Sequence, residues 1–114
     1  MAFPANYNFD YYAGDTNQFV IRPKNIDGTP FSLTGYSAAF TIATARGTGA
    51  TQYVATATVD SVNNIVTCTI SSTLGSTIPA AQTYVYDVEI SNASNIVHTL
   101  LTGTLSVTEQ VTGA

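Results

Sequence analysis

Through most of this 114-residue chain, large side chains alternate with small or polar ones at a period of two, and only a β-strand puts such a pattern on two faces. Over residues 36–44, Tyr36, Phe40 and Ile42 share one parity while Ser37, Ala39, Thr41 and Ala43 take the other, which predicts a strand with one buried face. Residues 53–59 set Tyr53, Ala55, Ala57 and Val59 against Val54, Thr56 and Thr58. The turn-forming run 60–64 and a return over 65–71 complete a predicted hairpin. A second hairpin follows from Tyr84, Tyr86, Val88 and Ile90 on one face of 83–90, a polar turn over 91–95, and a return over 96–101. In the long last segment, which runs on through 104–108, Gly103 marks the expected bulge. Near the front, 18–22 reads as a strand with Phe19 and Ile21 inward. It is ended by Pro23, which has no amide proton for a ladder. Only 72–81, with Leu74, Ile78 and Pro79, has room for a helical turn.

With β-branched residues abundant and no sustained helical period, the expected class is all-β. About seven antiparallel strands separated by regular turns suit an immunoglobulin-like β-sandwich. The expected organisation is one such domain over 13–114, preceded by residues 1–12 as an aromatic arm or first strand. Those first residues carry Phe3, Tyr7, Phe9, Tyr11 and Tyr12, and they pack either on the chain's own sandwich or on a neighbouring subunit. Tyr84, at the start of the strand after the 72–81 connection, is the candidate for a tyrosine corner. The chain has one cysteine and no tryptophan, so the antibody disulfide and its buried indole are both missing and the likeness is architectural.

Charge narrows the function classes. Ionic residues make up 9% of the chain, against roughly 25% in ordinary soluble domains. Lys24, Arg22 and Arg46 are the only cations. Protein surfaces that meet one another are depleted in charge and enriched in tyrosine, so the exterior is expected to pack against other protein chains. A formal net charge of -4 argues against nucleic acid as a partner. No apolar run approaches the roughly 18 residues of a membrane span, so no membrane partner is expected. The start of the chain lacks a basic n-region and an apolar h-region, and the expectation is folding in a cytoplasm. Cys68 is expected to be a buried, reduced thiol.

Candidate chemistry is sparse. His98 falls on the outer parity of its predicted strand, with no nucleophile motif near it. Asp87 and Glu89 project from one face of a strand, in reach of a metal clamp or carboxylate pair, though a solvated or interfacial acid pair is the plainer reading. Asp10 and Asp15 flank Gly14 in a predicted loop, where turn chemistry accounts for acids. Gly47 and Gly49 come without the lysine of a phosphate loop and read as a hairpin tip. No cofactor or metal is implied. Seven tyrosines without tryptophan make carbohydrate the competing ligand class.

The segment from Tyr11-Tyr12-Ala13-Gly14-Asp15-Thr16 through Asp27-Gly28-Thr29-Pro30-Phe31-Ser32-Leu33-Thr34-Gly35-Tyr36 resembles the opening of small β-sandwich proteins of tailed bacteriophages. Among these it is similar to the amino-terminal domain of baseplate upper proteins. The later run 84–90 and Leu100-Leu101-Thr102-Gly103-Thr104-Leu105-Ser106-Val107 fit the same pattern. The resemblance implies a non-enzymatic virion component, either a capsid decoration or a tail or baseplate part. Its implied partners are other virion proteins and further copies of itself. Candidate contact residues are the aromatic arm (Phe3, Tyr7, Phe9, Tyr11, Tyr12) together with Leu105, Val107 and Val111 of the last segment.

Overall fold

The computed structural model describes residues 4–47, 49–109 and 111. Eight strands and one helical turn run in the order β1 (Ala5–Asn6), β2 (Phe9–Tyr12), β3 (Asn17–Ile21), β4 (Ser37–Ala43), β5 (Gln52–Asp60), β6 (Ile65–Ile70), α1 (Ser72–Gly75), β7 (Gln82–Ser91) and β8 (Val97–Thr108). The expected all-β class holds, and the strands form a single curled sheet, a half-barrel in outline, ordered β1-β8-β7-β4-β5-β6-β3. β5 does the curling. Gln52 to Ala55 pair with β4, whereas Thr56 to Asp60 pair with β6, so one strand serves both halves of the sheet.

The sheet is mixed where antiparallel strands alone were expected. β1 and β2 both run parallel to β8, in one register: Ala5 opposite Leu101 and Phe9 opposite Leu105. They are a single edge strand interrupted at Tyr7 and Asn8. The interruption has a cause in Gly103. Its position faces inward, and an added Cβ would lie 2.0 Å from the Tyr7 carbonyl oxygen, so the missing side chain is where the Tyr7 backbone sits. The Tyr86 hydroxyl donates to that carbonyl at 2.5 Å, and the Asn8 side-chain oxygen accepts the Thr104 amide at 2.9 Å. These bonds replace the ladder bonds that the kink removes.

Gly103 is therefore a site of close backbone approach, and the bulge lies elsewhere. Val88 pairs with Leu101 and Glu89 with Thr99, leaving Leu100 as the extra residue of β8. An extra residue shifts parity by one. Leu100 and Leu101 are consequently both buried, although adjacent side chains on a regular strand point to opposite faces.

The turns are closed by their own side chains. The Asp60 carboxylate accepts the amides of Val62 and Asn63, and Asn64 takes a positive φ of 54°. Asn92 accepts the amides of Ser94 and Ile96 through its side chain, ahead of Asn95 at φ 61°. α1 is a single turn capped by Ser71, whose hydroxyl accepts the Leu74 amide at 3.1 Å.

Inside the curl, aromatic rings meet across the two halves. Phe19 of β3 lies 5.5 Å from Phe40 of β4 and 5.7 Å from Phe9 of β2, centroid to centroid. Phe9 and Phe40 in turn flank Tyr86 at 5.3 and 5.7 Å. Edge-to-face packing of this kind adds to the burial that holds the curl. Below this cluster the core continues through Ile42, Val66, Cys68, Ile70, Val88 and Leu105, all fully buried.

Candidate functional site

β7 alternates strictly, so its inward residues Tyr84, Tyr86, Val88 and Ile90 build the core while Val85, Asp87 and Glu89 stand on the outer face. Asp87 lies between Thr41 of β4 and Thr102 of β8, and Glu89 between Ala39 and Thr99. Small neighbours leave this face hollow. The tip of the β4–β5 hairpin folds over it, and Arg46 Nη2 donates to Thr102 Oγ1 at 2.6 Å and to the Gly103 carbonyl at 3.4 Å. The result is a shallow cleft of about 290 Å³, with Arg46, Asp87, Glu89 and Gln52 around a lining of Thr41 and Ala43. One guanidinium, two carboxylates and an amide equip it for hydrogen bonding to a polar group.

His98 does not join this cluster. The Leu100 bulge reverses parity upstream, so His98 pairs with inward-facing Ile90 and not on the outer face where plain alternation put it. Its ring lies 5.8 Å from Phe31, edge to face, and 6.2 Å from Tyr36. Asp87 and Glu89 are on the other side of the sheet. Among the described residues, no three His, Cys, Asp or Glu side chains gather as a metal site, and no helix is long and apolar enough to cross a membrane.

The predicted contact residues divide sharply. Tyr11, Leu105 and Val107 are buried in the chain's own core and present no surface to a partner, because β2 is a strand of this sheet and not a free arm. Phe9 is partly buried against the same core. Tyr7 and Tyr12 remain about half exposed, and Val111 is fully exposed. Phe3 lies outside the described residues.

The other tyrosines are structural in position. The Tyr84 hydroxyl donates to the Pro79 carbonyl at 2.5 Å, five residues upstream, and Tyr11 donates to the Asp15 carbonyl at 2.5 Å. Burial pushes the Tyr84 and Tyr11 phenols above their ordinary value, with Tyr53 and Asp15 respectively adding to the rise. Burial likewise raises Tyr86 strongly and pushes the Cys68 thiol up to about 12.

A second surface went unrecognised in the sequence. On the outer side of β3, β6 and β5, Gln18 sits beside Thr69, which sits beside Thr56; Val20, Thr67 and Thr58 form the next row. Val54 extends it, 66% exposed. These rows contain no charged side chain. The signal was present as two Thr-x-Thr runs, but only strand pairing shows that they lie side by side. Comparison with known protein families and with curated proteins gives no match.

Proposed function

We propose that this chain is a non-enzymatic structural protein of a bacteriophage virion, a capsid decoration or a tail or baseplate part, that works by having neighbouring protein chains cover its exterior. The observation that carries this reading is the uncharged threonine and valine face of β3, β6 and β5, which lacks the ionic groups that keep an ordinary surface in water. Repeated copies on a particle turn modest contacts of this kind into stable attachment.

The finer architecture we read as immunoglobulin-like. Three features support it: β3 and β6 face β4, β7 and β8 across one core; the first strand runs parallel to the last; and the Tyr84 hydroxyl reaches back to Pro79 as a tyrosine corner does. The phage assignment itself rests on the motif resemblance over residues 11–36 and 84–107.

The alternative is a carbohydrate-binding or host-adhesion module displayed on the virion, which the polar cleft beside Arg46 favours. One experiment separates them. Antibody labelling of particles purified from a lysate that produces the chain should show it at regular positions on head or tail. Saturable binding on a glycan array that Arg46→Ala abolishes, with the chain still present on particles, would replace the structural reading with the sugar-binding one, and absence from particles would overturn both.

A further inference from the structure

The two edges of the curled sheet differ. At one edge, β1 and β2 are broken at Tyr7 and Asn8, follow Pro4 and carry Asp10, all of which discourage a further strand. At the other, β3 is an unbroken run of Asn17, Gln18, Phe19, Val20 and Ile21 with no proline, charge or bulge. Among the described residues β6 is its only strand partner. It lacks the proline, charge and bulge by which natural edge strands discourage further pairing.

Charge tells what fits there. Exposed Asp15 precedes β3, and exposed Arg22 and Lys24 follow it, so the edge carries a negative start and a positive end. Two of the chain's three cations are in that one place. A parallel neighbour would set like charges together, whereas an antiparallel copy of the same strand sets opposite charges together.

We infer that β3 pairs antiparallel with β3 of a second copy of this chain, about a two-fold axis near Phe19. In that register Gln18 meets Val20 of the second copy, and Asp15 lies opposite Pro23, between Arg22 and Lys24 of the second copy. Backbone groups left open along β3 are then satisfied, and the uncharged outer rows of the two copies join into one wider face. A five-residue strand pair buries less than the roughly 800 Å² per partner of a stable dimer. The association is therefore weak and concentration-dependent in solution, and persistent where many copies are held on one assembly.

This rests on the reading of the chain as one covered by other protein chains, and it names one of those chains and the surface used. Sedimentation equilibrium of the full chain tests it. The expected result is a reversible monomer–dimer equilibrium, weakened roughly tenfold or more by Val20→Lys and by Asp15→Lys. Adding Arg22→Glu and Lys24→Glu to Asp15→Lys, which reverses both ends of the edge, should restore it. All the altered side chains are exposed, and an unchanged circular dichroism spectrum and melting temperature show that each variant folds. A wild-type chain that stays monomeric up to about 1 mM overturns the inference. So does a dimer indifferent to both single variants. Either failure leaves the structural reading standing on the particle-labelling result, which fails separately.

Discussion

A Cβ on Gly103 would stand 2.0 Å from the Tyr7 carbonyl oxygen and 2.9 Å from the Asn8 side-chain oxygen, and neither can retreat without loosening the bonds it makes to Tyr86 and Thr104. Gly103→Ala is therefore expected to cost roughly 1–3 kcal/mol, as overpacking does, read as a lower urea midpoint at unchanged slope. A stability equal to wild type would mean that the amino-terminal strand does not sit against this glycine. The residue was conspicuous in the sequence as a break in an alternating run. Its reason was not legible, because the group that excludes a side chain comes from Tyr7, distant in sequence. His98 teaches the same lesson: its face depends on a bulge at Leu100, and the adjacent pair Leu100-Leu101 was the only sign of it.

At the scale of elements, β1 and β2 are held by pairing to β8, by the Tyr86 hydroxyl and by the ring of Phe9 against Phe19 and Tyr86. Phe9→Ala removes the apolar anchor of a partly buried ring, and a loss of about 2 kcal/mol is expected. The damage should be local. Hydrogen exchange at the Thr104 amide, which bonds to Asn8, should accelerate far more than exchange in β6, on the other side of the molecule. Uniform acceleration would show instead that the edge strand belongs to the global folding unit. Alternation located β4 to β7 closely, since each has one face in the core. It failed to distinguish a strand of the same sheet from an arm at residues 5–12, where uneven spacing reflects the kink at Tyr7 and Asn8.

For the whole molecule, β5 joins both halves of the sheet and the aromatic cluster spans them, so neither half has a core of its own. Alkaline pH probes that shared core. The folded Cys68 thiol is pushed up to about 12 from an ordinary 9.0 by burial, and burial also raises the phenols of Tyr11, Tyr84 and Tyr86 above their ordinary 10.0. Above pH 9 the unfolded chain releases protons that the folded chain retains, which favours unfolding. Stability is thus fully present below pH 9 and falls as pH rises toward 12, measurable as declining urea midpoints. Cys68→Val should make the early part of that decline shallower. A flat profile through pH 11 would mean that these groups reach water in the folded state.

What the residues determined by themselves was class and polarity: a period of two with β-branched side chains admits a sheet, and a charged content of 9% leaves an exterior with few ionic groups. Those are properties of neighbours in the chain, set by local sterics and solvation. Register, bulge, the parallel first strand and the pairing of Thr56 with Thr69 and Thr58 with Thr67 were decided only in three dimensions. Each depends on which distant backbone groups complete one another's hydrogen bonds around a shared core, and a one-dimensional pattern carries no record of that partner.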